Sequence, residues 1–257
     1  MIENDLRCTS VVNIFTPQEK KFTWLGTDEL LGLFKRLCTI PTFIEAADFS
    51  SPGFLEYRLL PENSFPNIIQ DALTLYQALL NERKRLIGIG DSAGGGLWLL
   101  TVQTLIREQI PPPRAIVVFS PWADLTQSGQ SYRNNQHSDL MLTIATANWL
   151  KQQIIDNDGN KSFPLFGSFK NFPSLYICVG GAELLESDSR LVYARAKEEN
   201  VDVQLDVGEH LSHIYPIFYS YYPESKQALT RILDWLHKKL LNDKTNTYSA
   251  NYTTLHE

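Results

Sequence analysis

Residues 86–100 read LIGIGDSAGGGLWLL and place one hydroxyl, that of Ser92, between an apolar run and a helical pattern. The segment GDSAG has the spacing G-x-S-x-G, in which a serine occupies a sharp strand-to-helix turn with its Oγ exposed. A side chain at Gly90 or Gly94 would collide with neighbouring backbone in so tight a turn. The same residues fit a helix N-cap formed by Asp91 or Ser92. We favour the nucleophile, because a strand pattern directly precedes the serine and a helical pattern directly follows it.

The elements that would hold Ser92 alternate between apolar runs and helical patterns. Short apolar or alternating runs predict strands at residues 11–15, 85–90, 115–120, 174–180 and 201–207. Helical periodicity predicts helices at residues 28–37, 65–80, 95–108, 190–199 and 226–241. This alternation predicts an α/β fold, in which a mostly parallel sheet is covered by helices on both faces. We expect residues 1–241 to form a single domain and the polar residues 242–257 to form a mobile tail.

The composition narrows the class of protein. The 257 residues are 43 % hydrophobic and 20 % charged, with a net charge of −6 and no dense basic block, which argues against nucleic acid as a partner. No apolar run approaches the roughly 18 residues of a membrane span, and the first residues lack the pattern of a signal peptide. Cys8, Cys38 and Cys178 are too few and too widely spaced to predict disulfides or a zinc site. We expect a cytoplasmic protein without a metal or other cofactor, with Cys178 as a buried thiol.

Three segments follow one another along the chain: YRLLPE at residues 57–62, GDSAGGG at residues 90–96 and SPWADL at residues 120–125. In this order they resemble motifs of the hormone-sensitive-lipase-like branch of the α/β-hydrolases. YRLLPE at residues 57–62, followed by FP and DA, resembles the YRLAPE…FPA…DA segment of that branch. GDSAGGG at residues 90–96 resembles its nucleophile elbow, and SPWADL at residues 120–125 resembles its SPW-x-DLT segment. The resemblance covers roughly residues 54–240. It implies the α/β-hydrolase fold and a serine carboxylesterase or lipase-like activity on a small ester, without a cofactor.

A serine hydroxyl is a poor nucleophile at neutral pH, so it needs a histidine base that a carboxylate orients. Five histidines follow Ser92, at positions 137, 210, 213, 237 and 256. EHLSHIY at residues 209–215 resembles the family's E-G-M-x-H-x-F, whose last histidine is the base. The resemblance therefore implies that His213 is the base. His210 falls on the family's glycine and is expected at the surface.

The resemblance also implies the acid. GAELLESD at residues 181–188 resembles the family's D-P-L-x-D-E, and alignment on Leu185 places Glu183 at the orienting position. Asp188 matches the family's second, loop-holding acid and remains the alternative. The N–H of Ala93, directly after the nucleophile, would donate to the developing oxyanion.

The chain departs from the family where further oxyanion donors should lie. No segment reads HGGG, and the corresponding position is held by QEKK at residues 18–21. Losing one donor costs about 10²–10³ in rate. The N-terminal side is also short, so we expect a reduced lid, of which residues 137–155 would form the remaining segment. Met141, Leu142 and Trp149 in that segment would line an apolar pocket or belong to the core.

Two functions follow from these residues. The first is hydrolysis of carboxylic esters by a Ser-His-Glu triad through an acyl-enzyme. The second is binding of a small apolar ligand by a catalytically impaired hydrolase-fold protein, which the QEKK segment favours. An incomplete version of an active enzyme is a third reading. Retention of Ser92, Glu183 and His213 favours the first, while the natural substrate and the oligomeric state stay open.

Overall fold

The computed structural model describes residues 12–15, 53–55, 57–58, 60, 62–82, 86–158 and 163–241. Several sequence-based predictions lie outside these described residues: the helix at 28–37, the QEKK segment at 18–21, the shortened N-terminal lid and the tail at 242–257.

A six-stranded sheet forms the centre of the fold, with the strand order β2-β1-β3-β4-β5-β6. The strands are β1 (Val12–Phe15), β2 (Gly53–Leu55), β3 (Ile87–Asp91), β4 (Ala115–Phe119), β5 (Ser174–Gly180) and β6 (Val203–Gly208). Strands β3 to β6 are parallel, whereas β1 pairs antiparallel with both β2 and β3. The prediction of a mostly parallel sheet is confirmed. Alternation did not predict β2, because three residues are too few to show a period.

Helices and short 3₁₀ turns connect the strands. The helices are α1 (Phe65–Glu82), α2 (Ser92–Arg107), α3 (Ser131–Asn134), α4 (Ile144–Asp158), α5 (Glu186–Glu198) and α6 (Pro223–Leu241). The 3₁₀ turns are Pro164–Phe166 and Tyr215–Phe218. Three helices begin earlier than the sequence predicts: α2 at Ser92 rather than 95, α5 at Glu186 rather than 190, and α6 at Pro223 rather than 226. For α2 the difference arises because the elbow residues 92–94, which the sequence pattern assigns to a turn, form the first turn of the helix.

Helix α2 lies directly on the sheet, and small residues allow this contact. A Cβ atom on Gly88 of β3 would lie 2.6 Å from Cδ1 of Ile116 and 2.8 Å from the ring of Trp98. Trp98 is fully buried, and its Nε1 donates a hydrogen bond to the carbonyl oxygen of Ile89 at 2.9 Å. The indole therefore fixes α2 against β3 by both packing and a satisfied polar group.

The parallel part of the sheet brings the ends of four strands together. All five residues of β4 and six of the seven residues of β5 are buried, as their apolar runs predict. Parallel strands end at the same edge of a sheet, and functional side chains gather in the segments that follow them. Ser92 follows β3, Ser120 follows β4, and Glu183 follows β5. His213 comes after β6, so the candidate residues all leave one edge of the sheet.

Candidate active site

Ser92 is the first residue of α2 and has a left-handed backbone, with a φ of 53°. Such a conformation is uncommon for a residue other than glycine and marks a strained turn. A Cβ atom on Gly90 would lie 2.5 Å from the carbonyl oxygen of Gly94, so the turn excludes a side chain there. Asp91 occupies the N-cap position but makes no side-chain cap hydrogen bond. The interpretation of this segment as a side-chain N-cap by Asp91 is therefore wrong.

His213 joins the serine to a carboxylate. Its Nε2 lies 3.0 Å from Oγ of Ser92, and its Nδ1 lies 3.0 Å from Oε1 of Glu183. An ionised carboxylate only accepts hydrogen bonds, so Nδ1 carries the proton of the neutral ring. Nε2 is then free to accept the proton of the serine hydroxyl. His210 lies exposed at the surface, as its place on the family's glycine predicts.

Glu183 is fully buried, and both of its carboxylate oxygens are hydrogen-bonded. Oε1 faces His213, while Oε2 accepts hydrogen bonds from Oγ of Ser120 at 2.7 Å and from the N–H of Gly180 at 2.9 Å. A buried charge is stabilised only when it is paired and hydrogen-bonded. These contacts therefore hold the carboxyl group in one orientation behind the imidazole.

The sequence reasoning did not identify Ser120 as a site residue. Its hydroxyl contacts the carboxylate of Glu183 and also accepts a hydrogen bond from the N–H of Ile214 at 2.9 Å. One signal was present: a single hydroxyl directly follows the apolar run AIVVF, at the strand end next to the elbow strand. Polar residues at this edge of a parallel sheet are candidates for a site.

Asp188 holds a different segment. Its Oδ2 accepts hydrogen bonds from the N–H groups of Ala123 at 3.0 Å and Asp124 at 2.8 Å, and from the hydroxyl of Tyr132 at 3.3 Å. Burial raises the pKa of Asp188 to about 8, because the charged form is poorly solvated in the interior. The carboxyl of Asp188 therefore anchors the SPWADL segment. The carboxylate that contacts Nδ1 of His213 is that of Glu183.

Asp91 places a second, partly buried carboxyl beside the nucleophile. Burial raises the pKa of Asp91 to about 6, and the positive charge that His213 can carry opposes this shift. The carboxyl is therefore partly neutral in mildly acidic solution and ionised above that range.

Ala93 is the second residue of α2, so its N–H is among the four helix amides that have no acceptor within the helix. The helix dipole adds partial positive charge at this end. A neighbouring contact fixes the backbone here, because the N–H of Trp122 donates to the carbonyl oxygen of Ser92 at 2.9 Å. The QEKK segment, which stands where the family has further donors, lies outside the described residues.

The predicted lid segment begins as a loop that is tied to the turn carrying Glu183. Asp139 accepts hydrogen bonds from the N–H groups of Met141 and Leu142 through Oδ1, and from that of Leu184 at 2.8 Å through Oδ2. Asn135 donates to the carbonyl oxygen of Glu183 at 2.9 Å. Hydrogen bonds between these two side chains and backbone groups of the acid turn therefore join the two segments.

Helix α4 follows this loop and carries the rest of the lid segment. Trp149 is 51 % exposed and Met141 is 46 % exposed, so neither residue belongs to the core. Leu142 packs against a small buried cluster that contains Tyr132 and Leu184. Of these three residues, only the partly buried Leu142 packs against core residues, as the interpretation of a core position predicts.

The described part of the chain offers neither a metal cluster nor a membrane span. Among the described side chains, no three His, Cys, Asp or Glu residues come together in a way that could hold a metal ion. No described helix combines the length and apolarity needed to cross a membrane.

Comparison with known proteins places the chain in a family. The family described as the alpha/beta hydrolase fold matches residues 54–217. The chain is 31 % identical over 189 residues to an esterase of Acinetobacter venetianus, covering 70 % of this chain and 62 % of the relative. It is 29 % identical over 181 residues to an acetyl-hydrolase of Streptomyces hygroscopicus, covering 68 % of this chain and 60 % of the relative. The chain thus spans about three fifths of the length of these curated relatives.

Solved structures agree with the sequence comparison. An esterase from the bacterial hormone-sensitive lipase family superposes with a TM-score of 0.69 at 32 % identity, over 74 % of this chain and 65 % of that one. A hormone-sensitive lipase from a metagenome library gives a TM-score of 0.70 at 29 % identity, over 74 % of this chain and 68 % of that one. The strand-turn-helix around Ser92, the sheet order and these matches together show that the chain belongs to the α/β-hydrolase fold family, among its hormone-sensitive-lipase-like members.

Proposed function

We propose that this protein hydrolyses esters of short-chain carboxylic acids, with Ser92 as nucleophile, His213 as general base and acid, and Glu183 as the residue that orients His213. The observation that carries this proposal is the continuous chain of hydrogen bonds from the Ser92 hydroxyl through the imidazole to the carboxylate, with both distances at 3.0 Å. The printed names of relatives add the substrate class, since they include an acetyl-hydrolase, an esterase and an ethyl acetate hydrolase of Pseudomonas putida.

The first half of the reaction forms an acyl-enzyme. Oγ of Ser92 attacks the ester carbonyl carbon while its proton passes to Nε2 of His213. The N–H of Ala93 stabilises the oxyanion of the tetrahedral intermediate. The bond to the alcohol oxygen then breaks, and His213 delivers its proton to the leaving alcohol. Glu183 balances the positive charge that the imidazole carries between these two transfers.

The second half releases the acid. Water attacks the acyl carbon of the ester on Ser92 and gives its proton to His213. Collapse of the second tetrahedral intermediate returns that proton to Oγ of Ser92 and frees the carboxylic acid. Because the imidazole begins and ends neutral, the cycle regenerates the free enzyme without a cofactor.

The alternative is a hydrolase-fold protein that binds a small apolar ligand and turns over esters poorly. The QEKK segment favours it, because side chains and Glu19 would stand where the family supplies glycine N–H groups to the oxyanion. Loss of such donors reduces the rate by roughly 10²–10³ for each one.

The two functions are separated by combining turnover with active-site labelling. The protein is incubated with p-nitrophenyl acetate, p-nitrophenyl butyrate and a fluorophosphonate probe, beside Ser92→Ala. Ser189→Ala is the matched control, since the hydroxyl of this fully buried serine on α5 has no hydrogen-bond partner in the described part of the structure. Turnover and labelling that disappear only in Ser92→Ala support the esterase. Labelling without turnover indicates an activated serine with a deficient oxyanion hole, and absence of both supports the binding protein.

A further inference from the structure

The hydroxyl of Ser120 lies between two loops of the site. It is fully buried and contacts Oε2 of Glu183 at 2.7 Å on one side and the backbone N–H of Ile214 at 2.9 Å on the other. Glu183 follows β5, whereas Ile214 directly follows His213 in the segment after β6. The side chain of the residue that directly follows β4 therefore links the segment of the acid to the segment of the base.

The direction of both hydrogen bonds is determined. The N–H of Ile214 can only donate, so it occupies an acceptor position on Oγ of Ser120. The single hydroxyl proton of Ser120 then points to Glu183, whose ionised carboxylate can only accept. A hydrogen bond to a charged group contributes more to stability than one between neutral groups.

The backbone of Ser120 is held rigidly. Its φ is 47°, a left-handed value that is uncommon outside glycine. Its N–H donates to the carbonyl oxygen of Cys178 on β5 at 2.8 Å. Pairing of Phe119 with Cys178 in the parallel register sets this position at the end of β4. The hydroxyl therefore has little freedom to choose other partners.

We propose that Ser120 is a positioning residue that holds Glu183 and the His213 loop at the separation needed for the Nδ1 contact. The inference rests on the proposed function, because it concerns the same hydrogen-bonded chain. Ser120 acts through Glu183 and the backbone of Ile214, so it alters how well the imidazole is held. It leaves substrate binding largely untouched.

The first test compares Ser120→Ala with Ser225→Ala in p-nitrophenyl acetate hydrolysis. Ser225 is a matched control, because it is also fully buried and its hydroxyl donates to the carbonyl oxygen of Tyr215 at 2.7 Å. We expect kcat to fall roughly 10–150-fold in Ser120→Ala, as for a lost hydrogen bond to a charged group, with little change in KM. A fall of the same size in Ser225→Ala, or a change confined to KM, would overturn the proposal.

A double-mutant cycle tests whether Ser120 acts through the acid. In a Glu183→Gln background, Ser120→Ala should reduce kcat little further, because the contact it supports is already altered. Full additivity of the two losses would show that Ser120 acts independently of Glu183 and would refute the proposed role.

The third measurement does not depend on turnover. The Nδ1 proton of His213 should give a low-field proton NMR signal in the wild-type protein. That signal should shift or disappear in Ser120→Ala and remain in Ser225→Ala. A preserved signal in Ser120→Ala contradicts the positioning role. If the wild-type protein lacks esterase activity but shows this pattern, the positioning role stands and the proposed function fails.

Ser120→Gly provides a second variant if Ser120→Ala folds poorly. Glycine adopts positive φ without strain, so this change removes the hydroxyl while easing the backbone. We expect it to fold and to show the same loss of kcat and of the His213 signal. Wild-type kcat in a folded Ser120→Gly protein would overturn the proposal.

Discussion

Oε1 of Glu183 lies 3.0 Å from Nδ1 of His213, and the side chain of Glu183 is fully buried. Asp188, five positions later in the chain, is equally buried but accepts hydrogen bonds from the backbone of the SPWADL segment and from the hydroxyl of Tyr132. Two acids that are close in sequence therefore serve different purposes. Glu183 orients an imidazole, whereas Asp188 anchors a loop.

The first prediction separates these two acids. Glu183→Gln should reduce kcat by roughly 10³–10⁴, because an amide at this position supports the wrong tautomer of the imidazole. Asp188→Asn should retain most of the activity, since an amide oxygen can still accept from the N–H groups of Ala123 and Asp124. The measurement is kcat and KM for p-nitrophenyl acetate with both variants. A larger loss in the Asp188 variant would refute the assignment of Glu183.

The second prediction concerns the pH dependence of stability. Because burial raises the pKa of Asp188 to about 8, the folded state binds this proton more tightly than the unfolded chain does. The free energy of unfolding should therefore fall as pH rises from about 4, near the pKa of the unfolded chain, to about 8. This single group contributes a slope of at most about 1.4 kcal/mol per pH unit. Asp188→Asn removes the contribution.

Urea unfolding of the wild-type protein and Asp188→Asn across this range measures the difference. The wild-type curve should fall more steeply with pH, and the gap between the two proteins should stop changing above pH 8. Asp91→Asn is the comparison variant, because the pKa of Asp91 is raised to about 6 and its contribution should end near that pH. Parallel curves for the wild-type protein and Asp188→Asn would contradict the prediction.

The third prediction concerns the contact between α2 and the SPWADL segment. A Cβ atom on Gly96 would lie 2.2 Å from the carbonyl oxygen of Trp122, whose own N–H is bonded to the carbonyl oxygen of Ser92. Gly96→Ala should therefore destabilise the protein by about 1–3 kcal/mol through overpacking. Helix propensity alone would give the opposite sign, a gain of about 1 kcal/mol. An unchanged or raised midpoint of thermal unfolding would rule the steric explanation out.

The fourth prediction concerns the thiol of Cys178. This residue is fully buried, burial raises the pKa of its thiol, and its Sγ donates to the hydroxyl of Tyr215 at 3.3 Å. Electrophilic reagents that react with a thiolate should therefore leave Cys178 unmodified in the folded protein. A Cys8→Ser/Cys38→Ser double variant leaves Cys178 as the only one of the three cysteines. Labelling by an aromatic disulfide reagent should require denaturant, and rapid labelling without it would contradict the burial.

The sequence predicted the sheet and much of the site because both leave local patterns. Apolar runs indicated β4 and β5, and the elbow spacing indicated Ser92. Glu183 and His213 came from short segments that resemble the family. Each of these signals lies within a few consecutive residues, where periodicity or a motif can register it.

The structure adds features that depend on register between strands. Ser120 faces Glu183 because β4 and β5 pair with Phe119 opposite Cys178, a relationship that no single segment contains. The early start of α2 has the same origin. The elbow residues 92–94 indicate a turn when read alone, but they form the first turn of α2, in which Gly95 and Gly96 then approach Pro121 and Trp122 closely.

The left-handed backbone at Ser92, Ser120 and Ile214 has a consequence for engineering this protein. Each such residue reduces the stability of the fold by roughly 1–3 kcal/mol, and together they lie where the four parallel strands end. Glycine would relieve this strain, but at Ser92 it would remove the proposed nucleophile, at Ser120 the hydrogen bond to Glu183, and at Ile214 a buried side chain. Libraries intended to raise tolerance without sacrificing turnover should instead diversify the solvent-facing sides of α5 and α6.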